Sequence, residues 1–600
     1  MFYNPLDKNF KSVIGAVKES DTVTFRVKGV FDSVLLMCKK DGEDFYVSYA
    51  MTKNEDCFSC DIKFDKGLYF YNFKLSNGKY LGCGDRLNGV VTDQPIDYQL
   101  TSTVDDFNTP DWIKGGIIYQ IFPDRFCSSL KEQQIPDHKI LRRWGETPYY
   151  LPNEQGEVLN NDFFGGDILG IISKLDYLVD LGVNTLYLNP IFEAYSNHRY
   201  DTGDYNKIDR LLGSLEDFSL LIKECNKRSI KVVLDGVFNH VGADSVYFNK
   251  YNRYGELGAY QSKESPYYPW FNFTTFPDEY ESWWGIKTLP QVNETNLKYQ
   301  DFITGADGVI EKYTKLGVSG WRLDVVDELP SQFVKKIRDT LKRINPQGLL
   351  IGEVWEDASN KISYGVRREY FQGLELDSVM NYPLKDAIID YCKNRDCNNL
   401  VNVILSQIDH YPNQVLNSLM NILSTHDTFR LLSALLDVNL QGLSKTQLDR
   451  LQFSDEQIEN ALFSQKIASL LQFTLFGVPS IYYGDEISMH GFIDPLNRKC
   501  FEWDKIDNNQ TLSWYKSLAK LRSSFSVFKD GEFRLLKADR GLFVYSRNNA
   551  SEGVMVAVNL SNANVEFEFT GTLKEYFSQK VYDEVIRLEA NSFGVFYAEG

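Results

Sequence analysis

Six hundred residues exceed what one hydrophobic core supports, so the chain divides into several units, roughly three or four by length, with a barrel counting as one large unit. A composition of 43% hydrophobic and 24% charged residues is that of an ordinary globular protein and excludes dominant disorder. The net charge of −18 repels nucleic-acid phosphate and anionic lipid, so a neutral substrate is the easier fit.

The leading residues, "MFYNPLDKNFKSV", lack a basic stretch followed by an apolar run, and no window reaches the length of a membrane span. A cytoplasmic protein is therefore expected. Residues 1–108 read as short alternating runs such as "TVTFRVKGV" and "GLYFYNFKL", the latter closed by an Asn77-Gly78 turn, which is a β-sandwich pattern. Nine cysteines, odd in number and scattered, suggest a reducing setting. Cys57 and Cys60 form a lone CxxC with no second pair at zinc spacing, and they read as half-buried strand residues.

From residue 109 to 525 the rhythm changes to apolar strand candidates separated by helical patterns, the signature of parallel strands with crossover helices. Eight such strands can be counted: "IIYQIF", "TLYLNPIF", "IKVVLDGVF", "VSGWRLDVV", "LLIGEVW", "LDSVMNY", "LMNILSTH" and "PSIYYGDE". Eight closes a (β/α)8 TIM barrel. Helical stripes agree with this: Leu215, Phe218, Leu221, Ile222 and Cys225 share one face, as do Phe333, Ile337, Leu341 and Ile344, and Ile467, Leu470, Leu471 and Thr474. One connection is too long for a simple crossover, because strand three ends near His240 and strand four begins near Val318. An inserted subdomain over about 241–300 is expected beside the barrel mouth. Its stretch "SPYYPWFNFTTFPDEYESWW" is dense in aromatics, most of which should pack a small core while some stack on sugar faces. Residues 526–600 return to alternating runs and imply a second, smaller β-sandwich.

Barrel enzymes carry their reacting groups at the C-terminal strand ends. Here strand three ends in Asp235, Asn239 and His240; strand four carries Arg322 and Asp324; strand five ends in Glu353; strand seven ends in His426 and Asp427. In an extended chain Arg322 and Asp324 face the same way, and a buried pair of that kind is either a structural ion pair or part of a site. Any one of these carboxylates could be structural, but their convergence at one end of successive strands points to chemistry. Of six histidines, His198, His240 and His426 lie in strand-end segments, whereas His138, His410 and His490 have no obvious partners. None of the first three sits at metal-ligand spacing, so sugar hydroxyls are their expected partners rather than a metal. The acids suit glycosidic cleavage, which needs one carboxylate as nucleophile or base and one carboxylic acid as proton donor. Asp324 and Glu353 are about one β-α unit apart, so adjacent strands would hold them across a substrate. A guanidinium beside Asp324 should favour its ionised form, and the apolar run "LLIG" before Glu353 suits a proton donor.

With these motifs the barrel, from about 112 to 505, resembles the alpha-amylase superfamily of glycoside hydrolases. The resemblance implies Asp324 as nucleophile, Glu353 as acid/base and Asp427 as the third carboxylate. It places Arg322, His240 and His426 at the same subsite, Tyr200 of "NHRYDTGDY" against the sugar ring, and Asp494 and Arg498 of "DPLNR" on the next sugar. His198 and Asn239 join them as candidate substrate contacts. "YQIFPDRF", "FFGGDILGI", "LPQVN" and "WRLDVVDE" are similar to the neopullulanase, cyclomaltodextrinase and maltogenic amylase group, whose members often dimerise through a leading β domain. In that group Glu328 and Trp355 lie near the acceptor side, and Asp327 and Glu328 replace the Lys-His pair of starch-liquefying amylases. Many relatives bind calcium after "FPDRF"; this chain reads "CSSLKEQQ" there and keeps only Asp167, so no obligatory calcium and no other cofactor is expected.

The sequence thus predicts an endo-acting retaining hydrolase of α-1,4-glucosidic bonds, extending to α-1,6 bonds and transglycosylation. An exo-acting α-glucosidase or a glucanotransferase on the same scaffold is the competing enzyme. A non-catalytic carbohydrate-binding or transporter-associated protein is the competing class, and such proteins typically lose the carboxylates that this chain keeps.

Overall fold

The computed structural model describes residues 2–130, 135–154, 156 and 158–598. All eight expected barrel strands form one parallel sheet: β1 Ile118–Ile121, β2 Thr185–Leu188, β3 Lys231–Gly236, β4 Gly320–Leu323, β5 Leu349–Gly352, β6 Ser378–Val379, β7 Met420–Ile422 and β8 Val478–Tyr482. The order runs β6-β5-β4-β3-β2-β1-β8-β7, and a parallel bridge between Met380 and Met420 joins its two ends. These strands are buried on both faces, which is why their sequences are nearly continuous apolar runs. Tyr187, Val233, Leu349, Ile351, Met420 and Val478 pack the interior, with Ile113 joining the same cluster.

Outside the strands, helix α1 (Leu215–Lys227) starts at a Ser214–Asp217 capping box and buries Phe218, Leu221, Ile222 and Cys225. Helix α2 (Ser331–Ile344) buries Phe333, Ile337 and Leu341. Leu215 and Ile344, at opposite helix ends, are only half-buried, because a terminal turn reaches past the edge of the core. Between β6 and β7 run α3 (Tyr382–Asn394) and α4 (Asn398–His410), and α5 (Asp455–Thr474) precedes β8.

At the N-terminus a seven-stranded and a three-stranded sheet enclose Phe25, Leu36, Phe58, Tyr71 and Phe73. The Asn77-Gly78 turn forms there, with Gly78 at φ 84° and the Leu75 N–H donating to the Lys79 carbonyl at 2.8 Å. Cys57 and Cys60 lie half-buried on the strand Cys57–Ile62, and all nine cysteines are free thiols. The sandwich docks on α4 and the loop after β5. Lys11 Nζ meets Asp409 Oδ1 at 2.7 Å with both side chains at most 1% exposed, and Arg367 forks onto Asp41 at 2.9 and 3.0 Å.

The C-terminal strands make a single six-stranded antiparallel sheet. It seats Tyr545 against α5, where the phenol and the Thr474 hydroxyl lie 2.6 Å apart. In the insert Trp270, Phe271 and Tyr280 form the expected small core, while Trp284 is 80% exposed. Among the described residues no helix is long and apolar enough to cross a membrane.

Candidate active site

The parallel register sets Asp235 of β3 directly beside Arg322 of β4, and Arg322 beside Ile351 of β5. Asp324 and Glu353 follow two residues after Arg322 and Ile351, so alternation returns both carboxylates to the same inward face. Arg322 is the hub. Its Nη1 lies 2.8 Å from Asp235 Oδ1 and 2.9 Å from Asp324 Oδ1, and its Nη2 lies 2.9 Å from Glu353 Oε2. The same Glu353 oxygen accepts the Val325 N–H at 2.8 Å. Val325 holds φ 39° and ψ 47°, a left-handed conformation that costs a β-branched residue about 1–3 kcal/mol. That turn points the peptide after Asp324 at Glu353, tying the two carboxylates to one short piece of backbone.

Two electrostatic expectations change here. Burial and the neighbouring Glu353, Asp235 and Asp427 push the Asp324 carboxyl well above its usual range, with Arg322 opposing them. One guanidinium faces three carboxylates, so their mutual repulsion is only partly offset. Glu353, expected in an apolar setting, is ringed by polar groups: Arg322, the Val325 N–H and the Trp355 indole N–H, which donates to Oε1 at 3.1 Å. Alternation alone did not reveal that the β4 turn would aim an amide at it.

Asp427 occupies the opposite wall. Burial would raise its carboxyl, but His426, Arg498 and Arg322 together hold it well below the ordinary carboxylate range. His426 Nε2 lies 3.0 Å from Asp427 Oδ2 and 2.6 Å from the Tyr200 hydroxyl. The Gln120 amide meets Nδ1 at 2.9 Å, and with that nitrogen as acceptor the ring proton sits on Nε2. The Tyr200 ring lies parallel to His426, centroids 5.2 Å apart, and its hydroxyl also donates to Asp235 Oδ2 at 2.7 Å. Arg498 joins Asp427 at 3.3 Å to Asp494 at 2.7 Å. His198 accepts the Tyr200 N–H at 3.1 Å. Burial lowers both His198 and His240, the latter to about 4, so neutral rings face the cleft.

His240 is buried, its Nδ1 is 3.2 Å from Asn239 Oδ1, and its Nε2 has no protein partner among the described residues. Asn239 in turn donates to Glu294 Oε1 at 2.9 Å, and burial pushes the Glu294 carboxyl up to about 8. Trp283 stacks on His240 at 5.2 Å, and the indole N–H groups of Trp283 and Trp284 both reach Glu328 Oε1, at 3.1 and 3.0 Å. Trp355 stacks on Tyr382 at 3.9 Å. Glu328 and Trp355 therefore flank the cluster beside exposed aromatics. Asp327 is instead engaged by other partners: Tyr370 donates to it at 2.7 Å and Lys361 pairs with it at 3.2 Å.

Sequence reasoning passed over Gln120, Tyr187, Asn189, Trp283 and Glu294. Gln120 was the readable signal, a lone amide inside an apolar strand, and it bridges Asn189 at 3.1 Å to His426. Tyr187 donates to Asp235 at 2.7 Å. Two of the histidines set aside have stacking partners, His138 on Tyr195 and His490 on Phe453, and His410 has an ionic one, Asp357, at 3.1 Å.

The segment expected to lack a calcium site lies partly outside the described residues, at 131–134. Within them Asp167 caps the helix Ile168–Ser173 through the Gly170 N–H at 2.6 Å and takes the Ser129 hydroxyl at 2.5 Å. Both of its oxygens are engaged, and no group of three or more His, Cys, Asp or Glu side chains among the described residues is placed to hold a metal. These residues do not fit a calcium site of six or more oxygens. The adjoining glycine is required by close approach, since a Cβ on Gly166 would sit 2.3 Å from the Pro123 carbonyl.

Residues 120–526 match the family model for the alpha amylase catalytic domain. The chain is 35% identical to an amylopullulanase of Thermoanaerobacter thermohydrosulfuricus, over 90% of this chain and 40% of that protein. It is 32% identical to a cyclomaltodextrinase of a Bacillus species, over 78% of this chain and 77% of that one. Among solved structures, the type III pullulan hydrolase from Thermococcus kodakarensis is similar with a TM-score of 0.70 and 25% identity, over 100% of both chains. The chain spans between 31% and 49% of the length of three amylopullulanases that it matches.

Proposed function

The chain belongs to the alpha-amylase family, and from that membership we propose a retaining hydrolase of α-1,4-glucosidic bonds. Its substrates in this reading are cyclodextrins, pullulan, starch fragments and maltooligosaccharides, cut internally, with α-1,6 cleavage and transglycosylation beside the main reaction. The supporting observation is that Asp324 and Glu353, on neighbouring strands, share one guanidinium. In this reading Glu353 gives a proton to the glycosidic oxygen while Asp324 attacks the anomeric carbon, and the leaving chain departs. Glu353, now a carboxylate, takes a proton from water, which attacks the glycosyl ester and releases Asp324. Asp427, His426 and Tyr200 hold the sugar at the cleavage point, and Asp494 with Arg498 holds the next one.

The names of the relatives, amylopullulanase and cyclomaltodextrinase, supply the substrate class. The aromatic flank of Trp283, Trp284 and Trp355 supports it, since flat rings stack on the apolar faces of glucose. Cytoplasmic residence and a homodimer through the N-terminal sandwich belong to the same reading, and sedimentation tests the latter. No calcium is required, so EDTA should leave turnover unchanged.

Product analysis on β-cyclodextrin and pullulan tests the assignment, with panose, maltose and maltotriose reporting different cleavage rules. A protein that leaves both substrates intact refutes the substrate class. Proton NMR should show the α-anomer first. Asp324→Asn should abolish turnover of maltooligosaccharides, and wild-type rates in that variant would refute the mechanism.

A further inference from the structure

The N-terminal sandwich reaches the barrel through more than its ion pair with α4. Residues 353–377, which connect β5 to β6, begin at Glu353 and include a hairpin in which Ile362–Ser363 pairs with Val366–Arg367. Ile362, Tyr364 and Val366 are exposed, so this hairpin has little apolar packing of its own and depends on polar contacts for its position. The sandwich supplies some of them. Gln99, on the strand Tyr98–Thr103, is buried and spends both ends of its amide on the connection: Nε2 donates to Ser359 Oγ and Oε1 accepts from Asn360 Nδ2, each at 2.8 Å. Asp41 takes the Arg367 fork, and the remaining terminal nitrogen of that guanidinium donates to the Asn360 carbonyl.

From the connection the contacts run on to the turn after β4. Ser363 Oγ donates to the Asp327 carbonyl at 2.7 Å, and Lys361 pairs with the Asp327 carboxylate at 3.2 Å. Arg368 donates to the Leu329 carbonyl at 2.7 Å and to the Asp327 carbonyl as well. This is the turn whose Val325 N–H donates to Glu353 Oε2, while the connection's own Trp355 donates to Oε1. Both of these donors to the Glu353 carboxylate therefore sit on chain that the sandwich steadies.

We propose that the N-terminal sandwich is a positioning element for the acid/base of its own chain: Asp41 and Gln99 hold residues 353–377, these hold the 325–329 turn, and together they keep the Val325 and Trp355 donors on Glu353. The assignment rests on the proposed hydrolase reading, in which Glu353 protonates the leaving oxygen. A carboxyl aimed by two donors loses its aim when either moves, and a displacement of about 1 Å can cost about 10²-fold in rate.

The full chain carrying Asp41→Ala and Gln99→Leu is compared with wild type on maltohexaose and on a nitrophenyl α-maltoside. Its kcat/KM for maltohexaose should fall about tenfold, inside that limit, and for the nitrophenyl substrate less than about threefold, because a nitrophenolate departs with little protonation. Equal losses on both substrates, or none on either, overturn the proposal, since a general weakening of the fold does not distinguish leaving groups. If circular dichroism shows this variant to be unfolded, the same comparison is made on Asp41→Asn, where the same split is expected at smaller size. Amide hydrogen exchange read by mass spectrometry tests the positioning apart from turnover. Peptides covering 325–329 and 355–369 should exchange faster in the variant, with those covering 424–430 and 494–498 unchanged. That pattern supports the positioning role even if the hydrolase reading fails, and unchanged exchange over 325–329 refutes it even if that reading holds.

Discussion

Replacing Lys11 by Met removes one member of an ion pair that lies in the joint between the N-terminal sandwich and the barrel. Lys11 Nζ is 2.7 Å from Asp409 Oδ1 and reaches the Gly15 carbonyl at 3.4 Å, and neither charged side chain is more than 1% exposed. Asp409 Oδ2 already has no hydrogen-bond partner among the described residues, so the variant strands a buried carboxylate without the cation that pairs with it. Breaking a buried pair by deleting one partner costs about 3–5 kcal/mol. Replacing both by apolar residues of similar size is often neutral or stabilising. Urea titration of the full chain should therefore show the first transition of Lys11→Met weakened by about that amount. Lys11→Met/Asp409→Leu should return to the wild-type value or above it, giving a large favourable coupling in the double-mutant cycle. The joint leads to the site: α4, which carries Asp409, ends at His410, and His410 holds Asp357 in the loop that follows Glu353 and Trp355. A Lys11→Met protein within about 0.5 kcal/mol of wild type would refute the reasoning, because it would mean that the charge is screened by water.

Three further outcomes follow from the same geometry. Burial would lower His410, but Asp357 and Asp409 outweigh it and raise the imidazole; the stability this gives is fully present below pH 6.5 and lost as pH rises through the raised value. Asp357, lowered mainly by His410 against burial, loses its share as the pH falls through its depressed value, so His410→Gln should flatten both the alkaline decline in melting temperature and the part of the acid decline that Asp357 carries. Glu294, pushed up to about 8 by burial, is a neutral acid at pH 7, so Glu294→Gln should keep kcat/KM near wild type. Glu294→Ala frees the Asn239 amide and should lower it about tenfold through KM, the cost of one misdirected hydrogen bond. Glu353→Gln should lower kcat by about 10²–10⁴ on maltooligosaccharides and far less on aryl glucosides, whose leaving groups need little protonation.

The barrel was legible because its strands are short, apolar and separated by helices with clear stripes, so periodicity alone located all eight. The strand-end acids were legible for a different reason, since alternation fixes which residues share a face. What alternation did not carry was anything set by a turn or by distant chain. The αL residue Val325 that points an amide at Glu353, the indoles that reach Glu328 across the insert, and Asp327 swung onto Lys361 all depend on loops whose paths no period encodes. His410 escaped notice because its partner lies 53 positions away.

Arg322 carries a single positive charge among Asp235, Asp324 and Glu353, with Asp427 beyond them. On the proposed function this cluster would act as an electrostatic filter as well as a reaction centre. Its excess negative field welcomes the positive charge that develops on a glucosyl ring as the bond breaks, and it repels a carboxylate, sulfate or phosphate carried on the sugar itself. Uronic acids and phosphorylated glucans should accordingly bind more weakly than neutral glucans of the same shape.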